Sequence, residues 1–212
     1  MASELGLRLK ASRTEKGLSL RSVAAEIGVS AALISQIELG HTQPSVSTLY
    51  ALVTFFGISL DQVMGLPASA PPSTAAEAPA PASLPAEGTG PPGGAAPAGL
   101  LHHRSPGDRP ALEIGNGVRW ELVASAPDSF AEAVLVTYEP GASSSSDGSL
   151  MTHPGNEDAY LVAGELTLEL EDSVVVIRAG DSFSFDSARP HRFQNTGPAP
   201  ASGIWLKARG EA

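Results

Sequence analysis

A glutamine on the outside of a short helix is the first residue whose type and placement could do chemistry. Ile34 and Ile37 mark the buried side of a helix that opens after Ser30, which turns Ala31, Ala32, Ser35 and Gln36 outward. An amide both donates and accepts, so Gln36 can pair bidentately with the edge of an adenine, worth about 1–3 kcal/mol of discrimination. The alanines offer only apolar contact, for instance to a thymine methyl. In an arbitrary helical protein Ser35 and Gln36 would serve equally well as a solvated face, so the neighbouring elements decide.

Those elements begin at Leu18. Leu20, Val23, Ala24 and Ile27 fall at i, i+3, i+4 and i+7, one apolar helix face, with Ser19 where an N-cap would stand. Gly28 can take the left-handed conformation that stops a helix, Val29 follows as a buried plug, and Ser30 is placed to cap the second helix. Two short helices joined by a glycine-containing turn form the helix-turn-helix layout, whose second helix fits the DNA major groove.

Further helices frame the pair. Leu5 and Leu9 mark a first helix running to about Lys16, where Gly17 breaks it. After the loop from Gly40 to Pro44, Ser45 is placed to cap a fourth helix with Val46, Leu49, Val53 and Phe56 on one face and Gly57 at its end. Ser59 and Gln62 have capping-box spacing for a last helix in which Leu60, Val63 and Met64 point inward.

Composition divides the 212 residues into two domains and a tether. Residues 67–99 hold nine of the eighteen prolines, and neither helical nor strand periodicity survives there; this is a flexible, partly polyproline-like Pro/Ala/Gly-rich linker. The net charge of −10 is uneven: residues 1–66 balance at 5 basic and 5 acidic, whereas residues 100–212 carry 8 against 16. The acidic half is a poor nucleic-acid binder. In the first 21 residues Arg8, Lys10, Arg13, Lys16 and Arg21 face only Glu4 and Glu15, a local basic edge that implies weak nonspecific binding and dependence on specific contacts and dimerisation. The absence of cysteine excludes disulfides, zinc-thiolate sites and cysteine nucleophiles. Neither an apolar signal core nor a run of membrane-spanning length is present, so a soluble cytoplasmic protein is expected.

The run from Leu5 to Met64, with Arg13, LSLRSVA, VSAALISQIELG and PSVSTLYAL at the matching places, resembles the Xre-type helix-turn-helix family, to which phage lambda repressor is related. The resemblance implies a sequence-specific transcriptional regulator. Ala31, Ala32, Ser35 and Gln36 would then face base edges, Arg21, His41, Thr42 and Gln43 would lie near phosphate, and Ser30 would belong to the same DNA-binding set. Glu38 would pair with Arg8 or Arg13, since a carboxylate beside phosphate is repulsive. One such head reads few base pairs, so a homodimer on an inverted repeat of double-stranded DNA is expected, with half-sites roughly 34 Å apart.

Beyond the linker the period changes from 3.6 to 2. Leu166, Leu168 and Leu170 alternate with Glu165, Thr167 and Glu169, and Phe183 and Phe185 alternate with Ser182, Ser184 and Asp186. The runs VRWELVA, FAEAVLVTY, SVVVI and SGIWLKA are also strand-like, which argues for an all-β sandwich or barrel. GASSSSDGSLMTHPGNEDAYLVAG and GDSFSFDSARPHRFQN resemble the two motifs of the cupin family, a small jelly-roll-like β-barrel. In metal-binding members the first motif supplies two histidines and a glutamate, and the second a third histidine. Here Met151 stands in the first histidine's place, leaving His153, Glu157 and His191. That set suits a divalent Fe, Mn, Zn or Ni ion with open positions, and equally an organic anion bound through histidine with no metal. Tyr160, Phe185 and Arg189, with His191, are candidates to line an effector pocket in the barrel mouth, or are ordinary barrel packing. His102 and His103 have no partner at ligand spacing.

The expected architecture is therefore a five-helix DNA-binding head over residues 1–66, the linker 67–99 and an all-β cupin domain over 100–212 that senses a small molecule or dimerises the heads. The competing reading is a metal-dependent cupin enzyme, an oxygenase or isomerase, carrying a DNA-binding head.

Overall fold

The structure, a computed structural model, describes residues 4–58, 60–65, 103–124 and 131–208. The linker, Ser59 as a cap and His102 fall outside those residues. Five helices come first: α1 (Glu4–Glu15), α2 (Leu20–Ile27), α3 (Ala31–Glu38), α4 (Val46–Phe56) and α5 (Leu60–Met64). Serine hydroxyls at three N-termini accept from backbone amides two or three residues into the helix: Ser19 from Ser22, Ser30 from Leu33 and Ser45 from Thr48. Gly28 and Gly57 close α2 and α4 at φ of 74° and 58°, which a side chain would strain. Between α2 and α3 the chain bends by 114°, within the range of a helix-turn-helix.

Leu5, Leu9, Val23, Ile34, Ile37, Leu49, Leu52, Phe56 and Val63 fill the core between the helices. Across it, α1 crosses the end of α3 at backbone distance: a Cβ on Gly6 would lie 2.4 Å from the Ile37 carbonyl oxygen. The Arg13 guanidinium forks onto Glu38, Nε to Oε1 at 2.6 Å and Nη2 to Oε2 at 2.8 Å. Of the two partners expected for Glu38, Arg13 is therefore the one found; Arg8 instead bonds Glu4 and the Val63 carbonyl.

Three expectations about burial change. Val29 is half-buried rather than enclosed, and Ala31 packs partly against the core because the first turn of α3 leans on the rest of the head. In α4, Leu52 is buried where Val53 was expected. That helix has two covered sides: one meets the helical core and the other, carrying Tyr50, meets the β domain.

Nine strands follow a short 3-10 turn at Pro106–Asp108: β1 (Ala111–Ile114), β2 (Val118–Ala124), β3 (Ala131–Tyr138), β4 (Asn156–Ala163), β5 (Glu165–Leu170), β6 (Val174–Arg178), β7 (Ser182–Asp186), β8 (His191–Gln194) and β9 (Ala201–Ala208). They form an antiparallel six-stranded sheet in the order β1-β2-β3-β9-β4-β7 and a three-stranded sheet, β6-β5-β8. Inward residues of both sheets, among them Trp120, Leu122, Val134, Leu161, Leu166, Phe193 and Trp205, make the second core. Four runs read from the sequence are β2, β3, β6 and β9. The run SVVVI differs in one respect, because Val174, Val175 and Val176 of β6 are exposed and only Ile177 is enclosed. No single described helix is long and apolar enough to cross a membrane.

The two domains touch through the start of α4. The Ser47 amide, one of the donors a helix leaves unpaired at its N-terminus, donates to the Ser144 carbonyl at 3.0 Å, and the Gly115 amide donates to the Pro44 carbonyl at 2.7 Å. Gly115 belongs to the β1–β2 hairpin. A Cβ there would sit 2.9 Å from the Gln43 oxygen and 3.0 Å from that of Pro44, so the approach requires glycine.

Candidate functional site

The candidates for DNA contact are exposed or half-buried on the head. Ser30, Ala32, Gln36 and His41 are exposed, Ala31, Ser35 and Thr42 are half-buried, and Arg21 is exposed in the first turn of α2. Gln36 is exposed between the buried Ile34 and Ile37, so its amide is free to reach a base edge. Gln43 is placed differently: its carbonyl faces the Gly115 hairpin, so this end of the loop meets the β domain. Glu38 is buried and engaged with Arg13.

The second candidate site is inside the barrel. Strand alternation turns Glu157 inward on β4 together with Ala159 and Leu161, and His191 opens β8 facing the same interior. His153, Glu157 and His191 are all buried, and one ligand atom from each lies within 4.8 Å of the others. His191 Nδ1 is 2.8 Å from the Arg189 carbonyl, which can only accept, so the proton sits on Nδ1 and the Nε2 lone pair faces the cavity. That Nε2 is buried with no hydrogen-bond partner. His153 repeats the arrangement, with Nδ1 3.1 Å from the Pro154 carbonyl and Nε2 2.9 Å from Glu157 Oε1. A proton on that Nε2 would donate to the carboxylate, and a cation could take its place between them. The donor set and the orphaned His191 nitrogen therefore fit a divalent ion. Met151, in the place of a fourth ligand, is buried and lines the same cavity, antiparallel-bridged to His191 by both backbone bonds.

Electrostatics tie a further residue to this set. Burial alone would raise the Glu157 carboxyl, but Lys207 and the adjacent His153 hold it below the ordinary value. Lys207 is held above its own ordinary value: burial lowers it, and Tyr50, Glu157 and Glu132 more than offset that. Burial also lowers His191, keeping it neutral at physiological pH as a ligand must be.

Lys207, Trp120 and Tyr50 escaped the sequence reading. Lys207 carried a signal, since it shares the inward face of β9 with Ala201, Gly203 and Trp205, and a cation there calls for an interior partner. Tyr50 carried none, because only docking of the two domains brings it to the barrel. Its ring stacks on His153, with centroids 4.1 Å apart and planes 3° from parallel, and its hydroxyl accepts a hydrogen bond from Lys207. Tyr50, Trp120, Met151, Glu157, His191 and Lys207 leave a cavity of about 20 Å³, room for about one water.

Two expected lining residues are elsewhere. Tyr160 is 50% exposed, on the outer face of the sheet, because it alternates with the inward Ala159 and Leu161. The Arg189 guanidinium pairs with Asp172 at the surface, and only its backbone carbonyl serves the site. Phe185 packs edge-on against His191 at 5.1 Å but does not line the cavity. His103 is exposed.

Comparison with known proteins agrees with both halves. Residues 9–63 match the helix-turn-helix family and residues 134–207 the cupin domain family. The chain is 27% identical over 193 residues, 90% of its length and 87% of the relative's, to the HTH-type transcriptional regulator PuuR of Escherichia coli K12. It is 36% identical over 73 residues, 34% of its length and 41% of the relative's, to the HTH-type transcriptional regulator SutR of the same strain. Among solved structures, an HTH_3 family transcriptional regulator from Vibrio cholerae superposes with a TM-score of 0.60 at 19% identity, covering 98% of this chain and 96% of that one. The head thus matches the helix-turn-helix family and the barrel the cupin domain family, and the chain is similar over 90% of its length to a helix-turn-helix transcriptional regulator.

Proposed function

We propose that the protein is a sequence-specific transcriptional regulator in which residues 1–66 read an operator and residues 100–212 hold a small-molecule effector and pair two copies. The observation that carries the DNA reading is the exposed Gln36 amide on a recognition helix whose flanking helices match the family throughout. Near-neutral charge in the head, and an acidic barrel, leave specificity rather than bulk electrostatics to supply affinity. Pairing is supported by Tyr160 and Leu206, exposed by 50% and 53% on the adjacent outer faces of β4 and β9. Capture of genomic fragments on the purified chain tests the reading: a recurrent sequence is expected among them, and recovery in proportion to fragment length would oppose it.

His153, Glu157 and His191 are the side chains that would hold a divalent Fe, Mn, Zn or Ni ion. Such an ion would supply a Lewis-acidic centre with open positions for an oxygen donor. Titration of metal-stripped protein is expected to show one ion per chain, with affinity lowered by more than about a hundredfold in His191→Ala, since one of only three ligands is lost. Equal affinity in the variant would exclude this set. The same three ligands would serve a metal-dependent oxygenase or isomerase, and stoichiometric metal with turnover would replace the sensing role.

A further inference from the structure

The barrel cavity is filled by a side chain of the DNA-reading head. Tyr50 lies flat on His153, edge-on to Trp120 at 5.7 Å, and takes the Lys207 ammonium on its hydroxyl. The two backbone bonds at Ser47 and Gly115 set α4 at this depth. With Tyr50 seated, the remaining 20 Å³ admits about one water, so an organic molecule enters only by displacing the ring.

Every contact that Tyr50 makes describes what such a molecule looks like. His153 offers a flat face, Trp120 a wall, and Lys207 a buried donor one ring-length from the backbone of α4. We propose that the cavity is a binding site for a planar aromatic ligand bearing a hydrogen-bond acceptor, with Tyr50 as its built-in occupant, so that ligand entry and seating of the head on the barrel exclude one another. This rests on the reading above that the barrel holds a small-molecule effector. Losing Tyr50 from the cavity removes its contacts to His153, Trp120 and Lys207 and weakens the hold on residues 43–47, next to the loop proposed to approach phosphate. Competition is reciprocal: whatever unseats the head strengthens the ligand by the same factor.

The test uses phenol, the ring Tyr50 itself supplies, with the full-length chain. Two variants open the site by different routes. Tyr50→Ala empties the cavity; Gly115→Ala leaves every cavity residue intact and places a methyl against the Gln43 and Pro44 carbonyls. Saturable phenol binding, read by Trp fluorescence, is expected to be at least about tenfold tighter in both than in the parent chain. In the parent chain, phenol is expected to speed amide exchange at Ser47 and Gly115. Circular dichroism verifies that each variant is folded. Folded variants that bind phenol no better than the parent would overturn the proposal. So would a metabolite that raises the melting temperature of the parent chain and leaves those two amides protected, a result that would keep the effector reading and remove Tyr50 from it.

Discussion

Gln36→Ala is expected to lower affinity for the specific operator by about five- to a hundred-and-fiftyfold, the loss of one bidentate base contact at roughly 1–3 kcal/mol. The nonspecific component and its salt slope stay nearly unchanged, because the amide neutralises no phosphate. The geometry behind this is local: Gln36 is exposed on α3 between Ile34 and Ile37, whose burial fixes the rotation of the helix. Ala32 and Ser35 share that face and would offer weaker contacts. Binding isotherms at several salt concentrations, on operator and on shuffled DNA, separate the two components. An unaltered operator isotherm would assign base reading to another residue.

The second large effect concerns stability. Arg13 and Glu38 have side chains exposed by only 12% and 6%, and Arg13 Nη1 also donates to the Leu18 carbonyl at 2.8 Å. One guanidinium thus ties α1 both to the end of α3 and to the loop that leads into α2. Arg13→Met strands the Glu38 carboxylate in the interior, and a cost of about 3–5 kcal/mol to the head is expected. The double variant Arg13→Met with Glu38→Met recovers much of that loss, since two well-packed apolar chains replace both charges. Urea denaturation followed by helical circular dichroism reports both. A loss under about 1 kcal/mol in the single variant would mean that water reaches Glu38 and the pair behaves as a surface bridge.

Where each element announced itself in the sequence follows from what fixes it. The head is specified locally. Ser19, Ser30 and Ser45 accept at the N-termini where their spacing put them, and Gly28 and Gly57 take the left-handed conformation. In the barrel, strands with one buried and one wet side, such as β2 and β5, showed their alternation plainly. Strand β4 did not, because its inward series begins with Glu157, and β8 is only four residues long. The metal-type set was legible from the cupin motifs, but its surroundings were not. Tyr160, a candidate to line the barrel mouth, faces outward by the parity of its own strand, which puts Ala159 and Leu161 inside. Tyr50 could not be found by any local pattern: its site exists only where two domains, joined across a linker of no regular pattern, come into contact.

The charge distribution gives that contact a consequence. With the head seated, the Gly115 hairpin of an acidic domain lies against Gln43 and Pro44, at one end of the loop expected to approach phosphate. Seating would therefore bring the net negative charge of the β domain as a whole nearer the face proposed to meet DNA, an effect expected to weaken with salt.

Footprinting on a captured operator tests the central claim most directly. Two heads reading one site are expected to protect two half-sites of an inverted repeat, on the same face of the duplex and about 34 Å apart. Uniform protection without a repeat, or no protection below the concentration that coats random DNA, would contradict it.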